Sequence, residues 1–337
     1  MRVGFLLSFL RKRALLAMLV ALSCISAAVF AAQPRPAPDF PVRPVRWIVP
    51  FPPGGSVDLV GRILAQKLYD TWGQQIVVDN RPGAGGRVGT KIAVEATPDG
   101  YNQLLALNTN LTVDRSLFKS LTYDPEKAFV PVTIVASTSQ LLVVNPAFPA
   151  RSVLELIALC KSKPGQINYG SSGVGGSLHL AMELFKAKAG IDIVHVAYKG
   201  GPPAATDLMA GRIGLMFFNT PAALPFVKSG RLRALGVSTA RRSALLPDVP
   251  SIAESGVPEF DTGVWYGLVV PAGTKPAIVR STYEAVSRAL ALPDVRKSLQ
   301  DIGAEPVSIS PEEFAKRIKA ETRDWAKLIR AANIHLN

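Results

Sequence analysis

The chain has 337 residues, of which 38 are Lys or Arg and 25 Asp or Glu, a formal net charge of +13. With 48% hydrophobic and only 19% charged residues it is not a disordered chain, and 27 glycines are too few for collagen. Two cysteines exclude a disulfide scaffold or multi-cysteine zinc domain, three scattered histidines argue against a metal site, and the length suits roughly two domains.

The first element is an export signal. Arg2 and Arg11-Lys12-Arg13 precede an uncharged apolar run, 14–30, that ends in Val29-Phe30-Ala31. Residues 1–31 read as a secretory signal peptide cleaved near Ala31, which places the mature protein in the periplasm. Two alternatives are a retained anchor, for which about 17 residues is short, and a lipoprotein modified at Cys24, for which Ala21-Leu22-Ser23 is a poor lead-in. Cleavage would remove four basic and no acidic residues, taking the charge from +13 to +9, and would leave Cys160 as the one cysteine. Residues 32–44 form a Pro-rich spacer.

Alternating strand and helix follows. Strands are expected at 45–49, 75–79 and 103–107, with helices at 57–69 and through Val88, Ile92 and Val94 between them. This order predicts an α/β domain with a mainly parallel sheet. Apolar runs at 132–135 and 141–144 carry the chain into a second α/β unit. Its helices are expected at 153–161, 177–189 and 203–210, and its strands at 166–169, 193–196, 214–217 and 232–237. Trp265-Tyr266-Gly267-Leu268-Val269-Val270 reads as the return to the first unit. Ser310-Pro311-Glu312-Glu313 is a capping box that opens a helix with Phe314, Ile318, Trp325 and Ile329 on one face. The predicted lobes are thus 45–138 with 262–337, and 139–261.

Three Gly-rich loops carry the chemistry: Pro50-Phe51-Pro52-Pro53-Gly54-Gly55-Ser56, Arg81-Pro82-Gly83-Ala84-Gly85-Gly86, and Gly170-Ser171-Ser172-Gly173-Val174-Gly175-Gly176-Ser177. A loop between a strand end and a helix start exposes backbone N–H groups at the positive end of the helix dipole, a setting that binds anions. Any one such loop is ordinarily just a turn; three in equivalent positions favour a shared anion in a cleft. Val88 and Leu178 break the dinucleotide Gly spacing, and Val174 breaks the hydrolase elbow. His179 and His195 read as packing residues, and Asp58 as helix-end electrostatics. Lys199 reads as solvated or as a contact to an anion. The scattered basic residues fit a solvated surface or steering of anionic ligands better than nucleic acid.

Trp47-Ile48-Val49-Pro50-Phe51-Pro52-Pro53-Gly54-Gly55 with Asp58 resembles the start of the Bug (TctC-like) family, the extracytoplasmic solute receptors of tripartite tricarboxylate transporters. Further similar segments are Val78-Asp79-Asn80-Arg81-Pro82-Gly83-Ala84-Gly85-Gly86, Pro98-Asp99-Gly100-Tyr101, Tyr198-Lys199-Gly200 with Ala205-Thr206-Asp207-Leu208, Gly230-Arg231-Leu232-Arg233-Ala234-Leu235 and Pro271-Ala272-Gly273-Thr274. The resemblance implies a periplasmic binding protein of type II-like α/β fold, two lobes closing on a ligand cleft. It implies a small carboxylate or amino acid held by backbone N–H groups and water. Carried over, the ligand-binding residues are Phe51, Gly54, Gly55, Ser56 and Asp58; Ala84 and Gly85; Ser171, Ser172, Ser177 and His179; and Lys199, Gly200 and Asp207. No catalytic residue, metal or cofactor is expected. The expected partner is a tripartite tricarboxylate permease in the inner membrane, and the receptor is expected to be a monomer. The stretch Asn108-Thr109-Asn110 departs from the small hydroxyl residues usual in the family. Phe218 stands where an acidic residue is common, which disfavours a ligand amine.

The competing classes are an exported hydrolase using Ser172 or Ser177 with His179, and a ligand-independent envelope or sensor protein. The spacing supports no nucleophile–base pair for the former.

Overall fold

The computed structural model describes residues 40–118 and 121–331. The predicted signal peptide and most of the Pro-rich spacer lie outside the described residues.

The first stretch of chain alternates strand and helix. It runs β1 (Val45–Val49), α1 (Ser56–Trp72), β2 (Ile76–Asn80), a 3-10 turn (Ala84–Gly86), α2 (Arg87–Val94) and β3 (Asn102–Leu107). Three short helices follow, α3 (Asn108–Thr112), α4 (Asp114–Leu117) and α5 (Pro125–Ala128), and then β4 (Phe129–Thr138). The middle stretch is β5 (Gln140–Val144), α6 (Val153–Ser162), β6 (Asn168–Ser171), α7 (Ser177–Ala189), β7 (Val194–Ala197), α8 (Gly201–Met209), β8 (Leu215–Asn219), α9 (Thr220–Lys228) and β9 (Arg233–Val237). The last is β10 (Val264–Pro271), α10 (Pro276–Ala291), α11 (Pro293–Asp301), β11 (Glu305–Pro306) and α12 (Pro311–Ala331).

The strands form two sheets, ordered β11-β4-β10-β3-β1-β2 and β7-β6-β8-β5-β9. The expectation of a mainly parallel sheet needs correction. β2, β1 and β3 are parallel, but β10 lies antiparallel between β3 and β4. In the second sheet β7, β6 and β8 are parallel, while β5 runs antiparallel between β8 and β9. Both inserted strands adjoin the crossovers. β4 ends at Thr138 and β5 begins at Gln140, so a single residue, Ser139, joins the sheets. β5 is entered from the first sheet and β10 from the second, so neither is reached through a helical crossover within its own sheet, the connection that makes neighbouring strands parallel.

The central strands β1, β3, β5, β8 and β10 are buried on both faces, which is why they read as largely apolar runs, while the edge strands β2 and β7 are partly exposed. In the second sheet the period of two is explicit. Leu142, Val144, Leu215 and Phe217 pack with Leu156, Ile157 and Cys160 of α6 and Met182 and Phe185 of α7. Their neighbours Leu141, Val143, Met216 and Phe218 face the other way, onto Ala204, Ala205 and Leu208 of α8 and Ala222 and Ala223 of α9. In β1 Trp47 is fully buried, and its indole N–H donates to Gln103 Oε1 at 2.8 Å, satisfying its one polar group.

The C-terminal capping box is present: Glu313 N–H donates to Ser310 Oγ at 3.2 Å, and Ser310 N–H donates to Glu313 Oε2 at 3.0 Å. Phe314 is fully buried against Trp265, edge to face with centroids 5.2 Å apart, in the cluster that includes Ile48, Leu104 and Ile134 of the first sheet. The last helix is therefore part of the first lobe's core. Phe314→Ala should cost about 3–5 kcal/mol of stability, measured by urea unfolding of the mature protein.

Candidate functional site

In each sheet the parallel strands send their loops to the carboxyl edge, where ligands of α/β folds gather. The edges of the two lobes face each other. The loop after β1 and the loop after β6 line one enclosed space together with the starts of α8 and α9; its walls include Phe51, Gly55, Ser56, Leu107, Ser172, Ser177, Leu178, Gly201, Pro202, Phe218 and Asn219. Four helices begin at this space. Their N-caps are Gly55, Gly176, Gly200 and Asn219, and none makes a side-chain capping bond. A glycine cap leaves the first-turn N–H groups of α1 and α7 without a partner from the cap residue, at the positive end of each helix dipole. The helices α8 and α9 offer fewer donors, because Pro202, Pro203 and Pro221 have no N–H and Thr220 N–H donates to the Ser139 carbonyl at 3.1 Å. No residue lining the space carries a charge. Ser172 and Ser177 are 4% exposed, and their hydroxyls make no hydrogen bond within the protein. Buried hydroxyls without partners are uncommon, and these two point to a polar ligand or water.

The space is small, about 20 Å³. That is room for about one water molecule, so any larger ligand needs the lobes further apart than they stand here. A larger groove of about 680 Å³ lies behind the crossovers, lined by Ser137, Ser139, Thr262, Gly263, Trp325 and others. Its border carries Asp261, Glu305 and Glu321 against Arg317, and the helix that starts on it, α3 at Asn108, is only five residues long. For an anion the smaller, helix-started space is the better site.

Contacts between the lobes are direct. Asn219 of β8 donates from Nδ2 to Ser56 Oγ at 2.9 Å, and accepts from Gln140 Nε2 at 3.2 Å. Arg87 donates to the Val174 carbonyl at 3.1 Å and lies over the Phe118 ring, 3.5 Å from its centroid. Burial lowers the Arg87 pKa from its ordinary value. It also pushes the neighbouring Asp114 carboxyl up to about 7, against the pull of Arg87 and Asn110. The second and third loops meet backbone to backbone. A methyl group on Gly173 would sit 2.8 Å from the Gly85 nitrogen, and one on Gly85 would sit 2.8 Å from the Val174 oxygen. Both have positive φ, +117° and +67°. Only glycine meets both demands at these positions.

Of the residues expected at the ligand, Phe51, Gly55, Ser56, Ser172 and Ser177 line the space. Asp58 lies one layer back. It accepts from Gly54 N–H at 2.9 Å, Asn80 Nδ2 at 3.0 Å and Arg62 Nε at 3.0 Å. Burial alone would raise its pKa, but bonds from Arg62, Gly54 and Asn80 hold it below the usual carboxylate range. It ties the first loop to its helix. Ala84 and Gly85 belong to the seam against the third loop. Ser171 and His179 sit behind the third loop: Ser171 Oγ lies 2.6 Å from His195 Nε2, and His179 Nδ1 accepts the Gly175 N–H at 3.2 Å. Neither Ser172 nor Ser177 hydrogen-bonds to His179, so the nucleophile–base contact a hydrolase needs is not made at these residues. Gly200 packs on Pro52 across the cleft. Lys199 is exposed. Asp207 accepts from Tyr198 OH at 2.8 Å and Arg212 Nη1 at 2.6 Å, away from the space.

Some lining residues carry no sequence signal. Asn219 ends an apolar strand, and its role as a bridge depends on which helix start faces it. Asn110 holds the second loop by donating to the Gly85 carbonyl at 3.0 Å. Asn108, Thr109 and Thr262 carry further buried side-chain oxygens without partners. Asn108, Thr109 and Thr262 line a small cavity that continues from Ser177 toward the crossovers.

The family model for TctC, the tripartite tricarboxylate transporter family receptor, matches residues 60–334. Protein BugT of Bordetella pertussis is 38% identical over 306 residues, 90% of this chain and 94% of that protein. An R. palustris protein solved with adipate is similar with a TM-score of 0.86 and 36% identity, covering 88% of this chain and 99% of that one. MatC from Rhodopseudomonas palustris, solved with malate, has a TM-score of 0.82 and 31% identity, covering 86% and 100%. With the two-lobe α/β fold and the helix starts around one neutral space, these matches establish that the chain belongs to the tripartite tricarboxylate transporter receptor (TctC, or Bug) family.

Proposed function

We propose that this protein is a periplasmic receptor that closes its two lobes, 45–138 with 262–337 and 139–261, over a small carboxylate and performs no chemistry on it. The observation that carries this is the meeting of two glycine-capped helix starts, those of α1 and α7, around Ser172 and Ser177, whose buried hydroxyls lack partners. A carboxylate oxygen supplies the acceptor that both the hydroxyls and the helix N–H groups need. Ligand contacts to both lobes exist only in the closed state, so binding shifts the population toward closure. Relatives solved with adipate and malate fit a carboxylate ligand. The cavity that continues from Ser177 past Thr109 to Asn108 and Thr262 gives a second polar group somewhere to go. Phe218 and the rest of the wall supply no carboxylate to pair with an ammonium group, so amino acids should bind poorly. The closed receptor would deliver its ligand as a monomer to a tripartite tricarboxylate permease, after export on the signal in residues 1–31.

The test is a thermal-shift panel on ligand-stripped mature protein with mono-, di- and tricarboxylates, aromatic acids and amino acids. A ligand at 100 times its Kd adds about 2.7 kcal/mol, which is roughly 2–4 °C per kcal/mol for a protein approaching this size. A selective shift with one acid class is expected, and a flat panel on folded, empty protein would defeat the carboxylate reading. Ser172→Ala and Ser177→Ala should each weaken binding by about 1 kcal/mol, near fivefold, with stability almost unchanged. Asn219→Ala removes the bond to Ser56 that closure makes. It should speed ligand release more than it slows capture, read by stopped-flow fluorescence.

A further inference from the structure

Three rings stack behind the third loop, contributed by β6, β7 and α7. Tyr169 lies on His195 with centroids 4.9 Å apart, and His195 lies on His179 at 4.1 Å. The stack meets the loop at two points. Ser171 Oγ sits 2.6 Å from His195 Nε2 and accepts the Gly173 N–H at 3.1 Å. His179 Nδ1 accepts the Gly175 N–H at 3.2 Å. Ser172 and Ser177 flank these two anchored amides. Neither imidazole lines the space between the lobes.

The Gly175 bond sets where the His179 proton is, an assignment made from the hydrogen-bond network. Nδ1 of His179 accepts, so its proton is on Nε2, which faces Glu183 Oε1 at 3.9 Å. Ser171 Oγ accepts from Gly173 N–H and can either donate to His195 Nε2 or accept from it while donating to the Gly173 carbonyl at 3.4 Å, so the His195 contact tolerates either tautomer. The His179 ring is neutral in this arrangement. A proton added to Nδ1 of His179 would set a donor against the Gly175 donor. The charged and titratable groups around the pair are Tyr169 from β6 and Glu183 and Lys186 from α7. Glu183 accepts from Tyr169 OH at 2.5 Å and from Lys186 Nζ at 2.9 Å, so its charge is already shared. Burial, His195 and Lys186 oppose an imidazolium at position 179, and only Glu183 favours one.

We propose that His179 is a positioning residue that holds the loop Gly170–Ser177 in its ligand-binding shape only while its ring is neutral, so that acidification loosens the loop and releases ligand. The effect rests on the receptor reading for its consequence, not for its mechanism. Burial, the largest cause, takes the His179 pKa down to about 4, and that of His195 below its ordinary value. A base depressed in the folded state costs nothing above its unfolded value of about 6.5. The loop arrangement is therefore intact above that pH and is lost progressively as pH falls toward about 4.

The test needs no ligand. Hydrogen exchange of peptides spanning 170–177, corrected for intrinsic rates, is compared at about pH 7.5 and about pH 4.5, either side of the ordinary imidazole value. Wild type should lose loop protection at the lower pH. His179→Asn, whose Oδ1 accepts from Gly175 without titrating, should keep it. His179→Leu should exchange roughly fivefold faster at both pH values. Protection independent of pH in wild type would overturn the proposal, and so would a folded His179→Leu protein with wild-type protection. Should that variant not fold, imidazole 15N shifts of the wild type decide: a proton on Nδ1 of His179 at neutral pH overturns it. Adipate then serves as probe for the functional arm. Its own titration affects both proteins alike, so the ratio of wild-type to His179→Asn affinity should fall on acidification, and a constant ratio would sever the loop from binding. If adipate binds neither protein, the carboxylate reading suffers while the exchange result still stands.

Discussion

Backbone N–H groups at the start of a helix need acceptors, and four helices start around one gap here. Gly55 and Gly176 leave the first-turn donors of α1 and α7 without a side-chain acceptor, while prolines take the place of donors in the first turns of α8 and α9. Much of the molecule can be understood as holding those helix starts in place without satisfying them. The parallel strands β1, β6, β7 and β8 deliver them to the facing edges of two sheets. The single-residue crossover at Ser139 keeps the sheets close enough for the edges to meet. The neutrality of the lining follows from the same constraint. A lysine or arginine in the space would make recognition a matter of one point charge. The helix starts instead present directed donors that leave the rest of the ligand to other contacts.

Donors in loops are useful only if the loops are stiff, and each of the three Gly-rich loops has its own buried brace. Asp58 and Asn80 hold the first, Asn110 holds the second, and His179 with the Ser171–His195 pair holds the third. Every brace is a polar side chain bonded to main chain, so the ligand-facing surface is shaped from behind. Residues that look like candidate ligand contacts or catalytic groups by type are here second in line. Asp58 spends its carboxylate on Gly54, Asn80 and Arg62, and His179 spends its one acceptor on Gly175. Glycine appears where the seam between the lobes leaves no room for a side chain, most tightly at Gly85 and Gly173.

Much of this was legible in the sequence, for reasons that are local. A strand buried on both faces must be apolar along its length, so β1, β3 and β5 announce themselves. The capping box at Ser310–Glu313 is a short-range reciprocal bond, and it forms as its spacing predicts. A glycine-rich stretch between a strand and a helix is a helix start whatever surrounds it. The antiparallel insertion of β5 and β10 was not legible, because strand direction depends on where the chain comes from and not on its side chains.

The sequence by itself determined two α/β units, three loops of free backbone donors and the family they resemble, since each follows from residue type at short spacing. Only the tertiary structure decided which residues line the space between the lobes and which stand behind it. Phe51, Ser56, Ser172 and Ser177 reach the space, whereas Asp58, Ser171 and His179 are turned to the loops, and Lys199 and Asp207 lie outside. Asn219, silent in the sequence, bridges the lobes because β8 ends opposite Ser56. A side chain's role in a cleft is fixed by its neighbours across the gap, and those neighbours are far away in the chain.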